Sequence, residues 1–172
     1  MQDTQFDMRR KVRGNVPVRA IFLALALSCL GLSNAWADQT ATGWWLKRDG
    51  SGAIIVAPCG AALCGTVAWM RTPLDAQGKP KTDIHNPDAS LQARPLCGLP
   101  MMGGMTPDGS GGWQGGWVYD PDLGKTYKAV MHVAPDGTLR LRGYIGVPLF
   151  GRSAVMTRPA APLPHCAPAA SG

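Results

Sequence analysis

The sequence predicts an all-β domain: an eight-stranded antiparallel barrel with one short helix in a long loop. Three observations carry this expectation. The 172 residues include 22 Gly and 15 Pro, and every acidic residue beyond position 37 is Asp rather than Glu, a balance that favours turns over helices. Short segments of strand chemistry recur along the chain, each closed by a Gly, Pro or Asp turn. From Thr138 to Ile145, apolar and polar side chains alternate, the period of a strand with one buried face.

Taken from the amino terminus, residues 1–37 hold Arg9, Arg10, Lys11, Arg13 and Arg19, then an apolar run from Ala20 to Leu32, then Ala35-Trp36-Ala37. That order is a signal peptide. The run is shorter than the roughly 20 apolar residues of a membrane span and ends in small residues suited to signal peptidase. Cleavage after Ala37 leaves a barrel domain over 38–158 and a Pro- and Ala-rich tail over 159–172, read as disordered. The expected home is the periplasm or the outside of the cell, with no stable membrane anchor after cleavage. Five basic and two acidic residues leave with the leader, so 12 basic face 9 acidic and the net charge drops from +6 to about +3. The remaining cations are scattered singly, which argues against a nucleic-acid partner.

The eight expected strands are Thr42 to Lys47, Ala53 to Ala57, Cys64 to Met70, a weaker one from Leu99 to Met105, Gly112 to Tyr119, Lys125 to Val133, Thr138 to Ile145 and Arg152 to Arg158. Tight turns force neighbours antiparallel, and eight such strands can close on themselves without an edge. Leu139, Leu141, Gly143 and Ile145 should point inward on the seventh, and Tyr127, Ala129, Met131 and Val133 on the sixth. One long connection, Arg71 to Gly98, interrupts the meander. Within it Asn86-Pro87-Asp88 reads as a helix start, with Asn86 at the N-cap and Asp88 favourable to the dipole, and Pro95 stopping it.

Gly43-Trp44-Trp45 on the first strand and Thr157-Arg158 at the end of the last resemble the lipocalin arrangement. The resemblance implies that Arg158 packs over Trp45 and hydrogen-bonds the backbone nearby, with Gly43 opening the barrel. A longer series is similar to the secreted bacterial family catalogued as domain of unknown function 2147: Cys59-x4-Cys64-Gly65, Asn86-Pro87-Asp88, Arg94-Pro95-Leu96-Cys97-Gly98-Leu99, Tyr119-Asp120-Pro121-x2-Gly124-Lys125-Thr126-Tyr127 and Leu141-Arg142-Gly143-Tyr144. It covers roughly Gly43 to Arg158 and implies a lipocalin-like barrel, without an established reaction. The chain departs from it at Met156, where that family usually carries Trp, and in the tail.

Four cysteines follow the leader, an even count that in an exported chain suggests disulfides. Cys59 and Cys64 flank a hairpin mouth and are expected to bridge. Cys97 is either free and buried or tied to Cys166. Asp83, Asn86 and Asp88 crowd three oxygen side chains together but lack the glycine turn and distal Glu of a calcium loop, so no metal is expected. Gly124-Lys125-Thr126 resembles the end of a phosphate loop, yet it lies between two strands and opens no helix.

The leading functional reading is a barrel that binds a small apolar molecule, lined by Met101, Trp117, Tyr127, Met131, Leu141 and Gly143, with Ala129 and Gly143 leaving room. It needs no cofactor and makes the protein a binder rather than an enzyme. A second reading is an interaction module with a filled barrel, presenting the long connection to a protein partner. The third is a hydrolase built on Asp83, His85 and Asp88, although no nucleophile is marked near them.

Overall fold

The computed structural model describes residues 40–166. The expected leader and its cleavage site lie outside that range. Eight strands form in chain order: β1 (Gly43–Lys47), β2 (Gly52–Cys59), β3 (Ala62–Met70), β4 (Pro100–Pro107), β5 (Gly112–Asp120), β6 (Lys125–Val133), β7 (Leu139–Tyr144) and β8 (Arg152–Thr157). Each pairs antiparallel with the next, and β1 pairs with β8, closing the barrel. This is the all-β architecture that the turn-punctuated sequence predicts. The closing seam is short, with Leu46 opposite Thr157 and Lys47 opposite Met156.

Strand direction sorts the connections into two ends. At one end lie Gly43, Arg158 and the hairpins after β2, β4 and β6; at the other lie the β1–β2 turn, the long connection, the β5–β6 turn and the β7–β8 loop. Inward residues near the first end are large and tightly buried: Trp45, Leu63, Met105, Met131 and Leu139 form one apolar cluster, against which Trp113 packs. This end is filled.

Register shifts interrupt several strand pairs, and two of them re-aim β4 and β5. Between Trp113 and Gly116 the register of β5 slips against β6, and between Met102 and Met105 that of β4 slips against β3. Gly115 (φ 73°) and Gly104 (φ 65°) supply the left-handed backbone that such an extra residue requires. The slip in β5 changes which residues face in. Trp113 opposes the buried Met131, Gly116 opposes the buried Ala129, and Val118 opposes Tyr127, so Trp117 and Tyr119 point outward. The expectation that Trp117 lines the interior is therefore corrected: simple alternation fails at a bulge.

The long connection carries no full helix. A single 3-10 turn forms at Ala89–Leu91, and its N-cap is Asp88, whose Oδ1 accepts from the Ser90 amide at 2.9 Å. Asn86 is not the cap: its Oδ1 accepts from the Asp88 amide at 2.9 Å, ahead of the turn, while its Nδ2 enters a buried network described below. Pro95 does not stop a helix but sits opposite Thr82 in an isolated β-bridge. Backbone bonds from Asp83 to Arg94 and from Leu96 to Lys81 fold the segment back on itself.

Both disulfides are formed, Cys59 to Cys64 across the β2–β3 hairpin and Cys97 to Cys166. The second settles what the sequence leaves open, and it also changes the account of the tail. Residues 159–166, expected to be disordered, return from the filled end along the outer wall: the His165 ring meets that of Trp44 at 4.8 Å, and the Cys166 amide donates to the Ala68 carbonyl at 2.8 Å. A covalent tie supplies the ordering that composition alone does not suggest.

Candidate functional site

Toward the second end the barrel is hollow. A cavity of about 680 Å³ opens there, with Ile54, Met102, Val118, Leu141 and Met156 among its apolar walls. The register explains the vacancy. On β8, Ala154 stands opposite Leu141 and faces in, and it presents only a methyl group where the filled end presents Met and Leu. Gly143 also lines the cavity, but it does not create the room expected of it. A Cβ at Gly143 would stand 3.0 Å from Val118 Cγ1 and 3.4 Å from Tyr127 Cβ, so its neighbours already occupy that space.

Of the six residues expected to line a site, Met101, Tyr127, Leu141 and Gly143 reach the cavity. Met131 is instead buried in the filled half, facing Trp113 and Leu141. Trp117 lies outside, its ring against Gly103. Ile145, placed inward by alternation, falls just beyond the end of β7 and is 74% exposed. The cavity also has members that the pattern did not single out: Met102, Val118, Ala154 and, at the mouth, Lys47, Lys125, Arg152, Asp120 and Phe150. Register across β5 and β8 brings them together, and only the paired glycines of β4 and β5 hint at it in sequence.

The mouth is polar. Lys47 lies 3.7 Å from Asp49, while among the described residues neither Lys125 nor Arg152 is within ion-pair distance of an acid. Asp120 turns its Oδ1 to the amides of Asp122 and Leu123, fixing the β5–β6 turn.

The floor is sealed from the opposite side. Trp45 is fully buried, its Nε1 donates to the Ala41 carbonyl at 2.6 Å, and the Arg158 guanidinium stacks 3.8 Å from the ring centroid. Arg158 Nη1 donates to the carbonyls of Thr42 (2.7 Å) and Trp44 (3.2 Å), and its Nη2 to that of Thr40 (2.8 Å). Gly43 is required beneath it, since a Cβ there would stand 2.8 Å from Arg158 Nη1. One side chain thus ties the last strand to the chain entering the first.

The family described as an uncharacterized protein conserved in bacteria (DUF2147) matches residues 43–158. The chain belongs to it. Among solved structures, protein HP1028 from Helicobacter pylori, described as belonging to the lipocalin family, is similar with a TM-score of 0.59 and 18% identity, over 70% of this chain and 84% of that one. At that identity the likeness concerns the fold, which is a lipocalin-like closed barrel. No curated protein matches the chain.

On the outer wall of this DUF2147 barrel, the long connection is pinned through a buried carboxylate. Asp83 is fully buried; its Oδ1 accepts from the Tyr119 hydroxyl at 2.8 Å, and its Oδ2 accepts from Asn86 Nδ2 at 2.8 Å and from Arg94 Nε and Nη2 at 2.9 and 2.8 Å. Burial pushes the Asp83 carboxyl up, but the three donors and the Arg94 charge together outweigh it and hold the group below its ordinary value. Burial and then the Asp83 carboxylate raise Tyr119, keeping its hydroxyl a donor. Nearby, Gly124 lies so close to the His85 carbonyl that any side chain there would collide with it. Asp83, His85 and Asp88 do not form a relay: Asp83 is spent on this pin, Asp88 on its cap, and His85 is exposed with no hydrogen bond to Asp83 among the described residues. Between the pinned connection and the barrel, a groove runs past Pro87, Arg94 and Trp117, the last 38% exposed.

Proposed function

We propose that the protein binds a small, largely apolar molecule in the open half of its barrel, as a carrier rather than an enzyme. The observation that supports this is the cavity of about 680 Å³, walled by Ile54, Met102, Val118 and Leu141 and floored by tightly packed residues. Its size falls within the range typical of small-molecule sites. A hollow placed over a sealed floor suits retention of one molecule entering from one side. The carrier works in the periplasm or outside the cell in this reading, and two disulfides support an oxidising compartment.

Native mass spectrometry of the protein taken from its own host is the first test: a carrier arrives with a bound mass that denaturation releases. Thermal-shift measurements with apolar metabolites then quantify it, since a ligand at about a hundredfold excess over its dissociation constant adds about 2.7 kcal/mol to stability. An empty native protein that no apolar compound stabilises would sink the carrier. The groove beside Trp117 favours a second reading, an envelope interaction module that presents the connection over 71–98 to a protein partner, and that reading would then replace it.

A further inference from the structure

The β7–β8 loop is the most apolar exposed feature among the described residues. Ile145, Val147, Leu149 and Phe150 are all solvent-exposed, Leu149 at 77% and Phe150 at 79%. They lie within six residues, and Leu123 adds a fifth exposed apolar group from the neighbouring β5–β6 turn. Water contact on this scale in so short a segment marks an interaction surface rather than ordinary scatter.

The loop is held, not loose. A 3-10 turn forms at Pro148–Phe150, closed by bonds from the Phe150 amide to the Val147 carbonyl (3.2 Å) and from the Gly151 amide to that of Pro148 (3.1 Å). Arg142 reaches across from β7, donating from Nε to the Pro148 carbonyl and from Nη2 to the Leu149 carbonyl, with Nη1 on Ser153 Oγ. Carbonyls are thereby turned in toward a cation and the apolar side chains are turned out. Charge on the two strands that carry this turn has one sign. Beyond Asp136 the chain contains no acidic residue, and Arg142 and Arg152 flank the loop at its base; across the cavity mouth Lys47 and Lys125 accompany Asp120 and Asp122, which leaves the cations in excess.

We propose that this loop docks the barrel reversibly onto an anionic phospholipid bilayer, with Leu149 and Phe150 entering the acyl boundary and the cations at headgroup depth. An apolar tip backed by cations is the arrangement that interfacial binding demands, because burial of the tip and attraction to acidic headgroups act along the same axis. Ile145 and Phe150 also line the cavity, so docking turns the barrel mouth toward the lipid. The inference stands on the loop and its charge, and holds whether or not the cavity is occupied.

The test is co-sedimentation of the protein purified from the exported fraction of its host with two vesicle preparations, phosphatidylglycerol mixed equally with phosphatidylcholine, and phosphatidylcholine alone. The parent should bind the anionic vesicles at least about tenfold better than the neutral ones and lose binding as salt rises. Phe150→Asp, and separately Leu149→Asp, should lower anionic-vesicle binding by about tenfold or more with an unchanged melting temperature, since both side chains are exposed. Arg152→Gln should weaken binding to the anionic vesicles selectively. A parent that stays in the supernatant with both preparations, or Asp variants that bind as the parent does, would overturn the proposal. So would a parent that dimerises in solution through a contact that Phe150→Asp abolishes, because the turn would then serve a second copy of the chain.

Discussion

The two ends of the barrel are built from the same eight strands and differ in what those strands present inward. At one end Trp45, Met105, Met131 and Leu139 interlock beneath the Arg158 guanidinium. At the other, Ala154 stands where bulk could have been, and the space above it is a cavity. Alternation decides only which face a residue takes; the volume at each level decides whether the interior is packed or hollow. Stability and binding can therefore occupy separate halves of one small domain. A loss of packing at the filled end should be felt by the whole fold, whereas changes at the hollow end should be felt by a ligand.

Trp45→Ala tests that division most severely. It removes a fully buried ring and leaves Arg158 without its stacking plane, and the cost should be about 4 kcal/mol in urea unfolding. A loss below about 1 kcal/mol would mean that the filled end is not where stability resides.

Asp83→Ala should come next, at about 3 kcal/mol, because it strands Arg94, Asn86 and Tyr119 around an empty site. This change touches neither end but the outer wall, and it carries a pH signature. The Asp83 carboxyl is held below its ordinary value of 3.8, so its contribution is complete above that value and fades as pH falls through the lower folded one. Acid titration of stability should accordingly flatten in the variant below about pH 4.

Arg158→Ala should cost about 2 kcal/mol, the stacked plane and the three carbonyl bonds together. Its melting temperature should fall while the cavity keeps its walls. An unchanged melting temperature would show that the short β1–β8 seam holds without this contact.

The smallest stability effect and the sharpest contrast belong to Ala154→Phe. The ring should enter the cavity and change stability by less than about 1 kcal/mol, yet abolish the thermal shift that an apolar ligand gives the parent. Retained ligand stabilisation would separate binding from the hollow and point to the Trp117 groove.

All eight strands were legible in sequence because each is bounded by turn chemistry and most alternate, and the Cys59–Cys64 bridge was legible because both cysteines belong to one hairpin. The interior was read less well. Strict alternation along β5 puts Trp117 inside, and the bulge at the Gly115-Gly116 pair turns it out. Asp83 and Asn86 stood out as a polar cluster, but their partner Tyr119 lies 36 residues from Asp83 on another element, and no local pattern reaches that far. The room attributed to Gly143 failed for a related reason: Val118 and Tyr127 fill it from the strands beside it.

The Cys97–Cys166 link, separated by 69 residues, makes β4 through β8 part of a single covalent ring, with β1 to β3 outside it. The exposed Ile145–Phe150 segment is the natural point of attack for a protease working at the mouth, and it lies within that ring. A nick there cannot release β8, because one fragment keeps Cys97 and the other keeps Cys166. Cleaved protein should migrate as a single species in denaturant and separate into two only after reduction. Damage at the mouth is thus uncoupled from loss of the strand that closes the barrel.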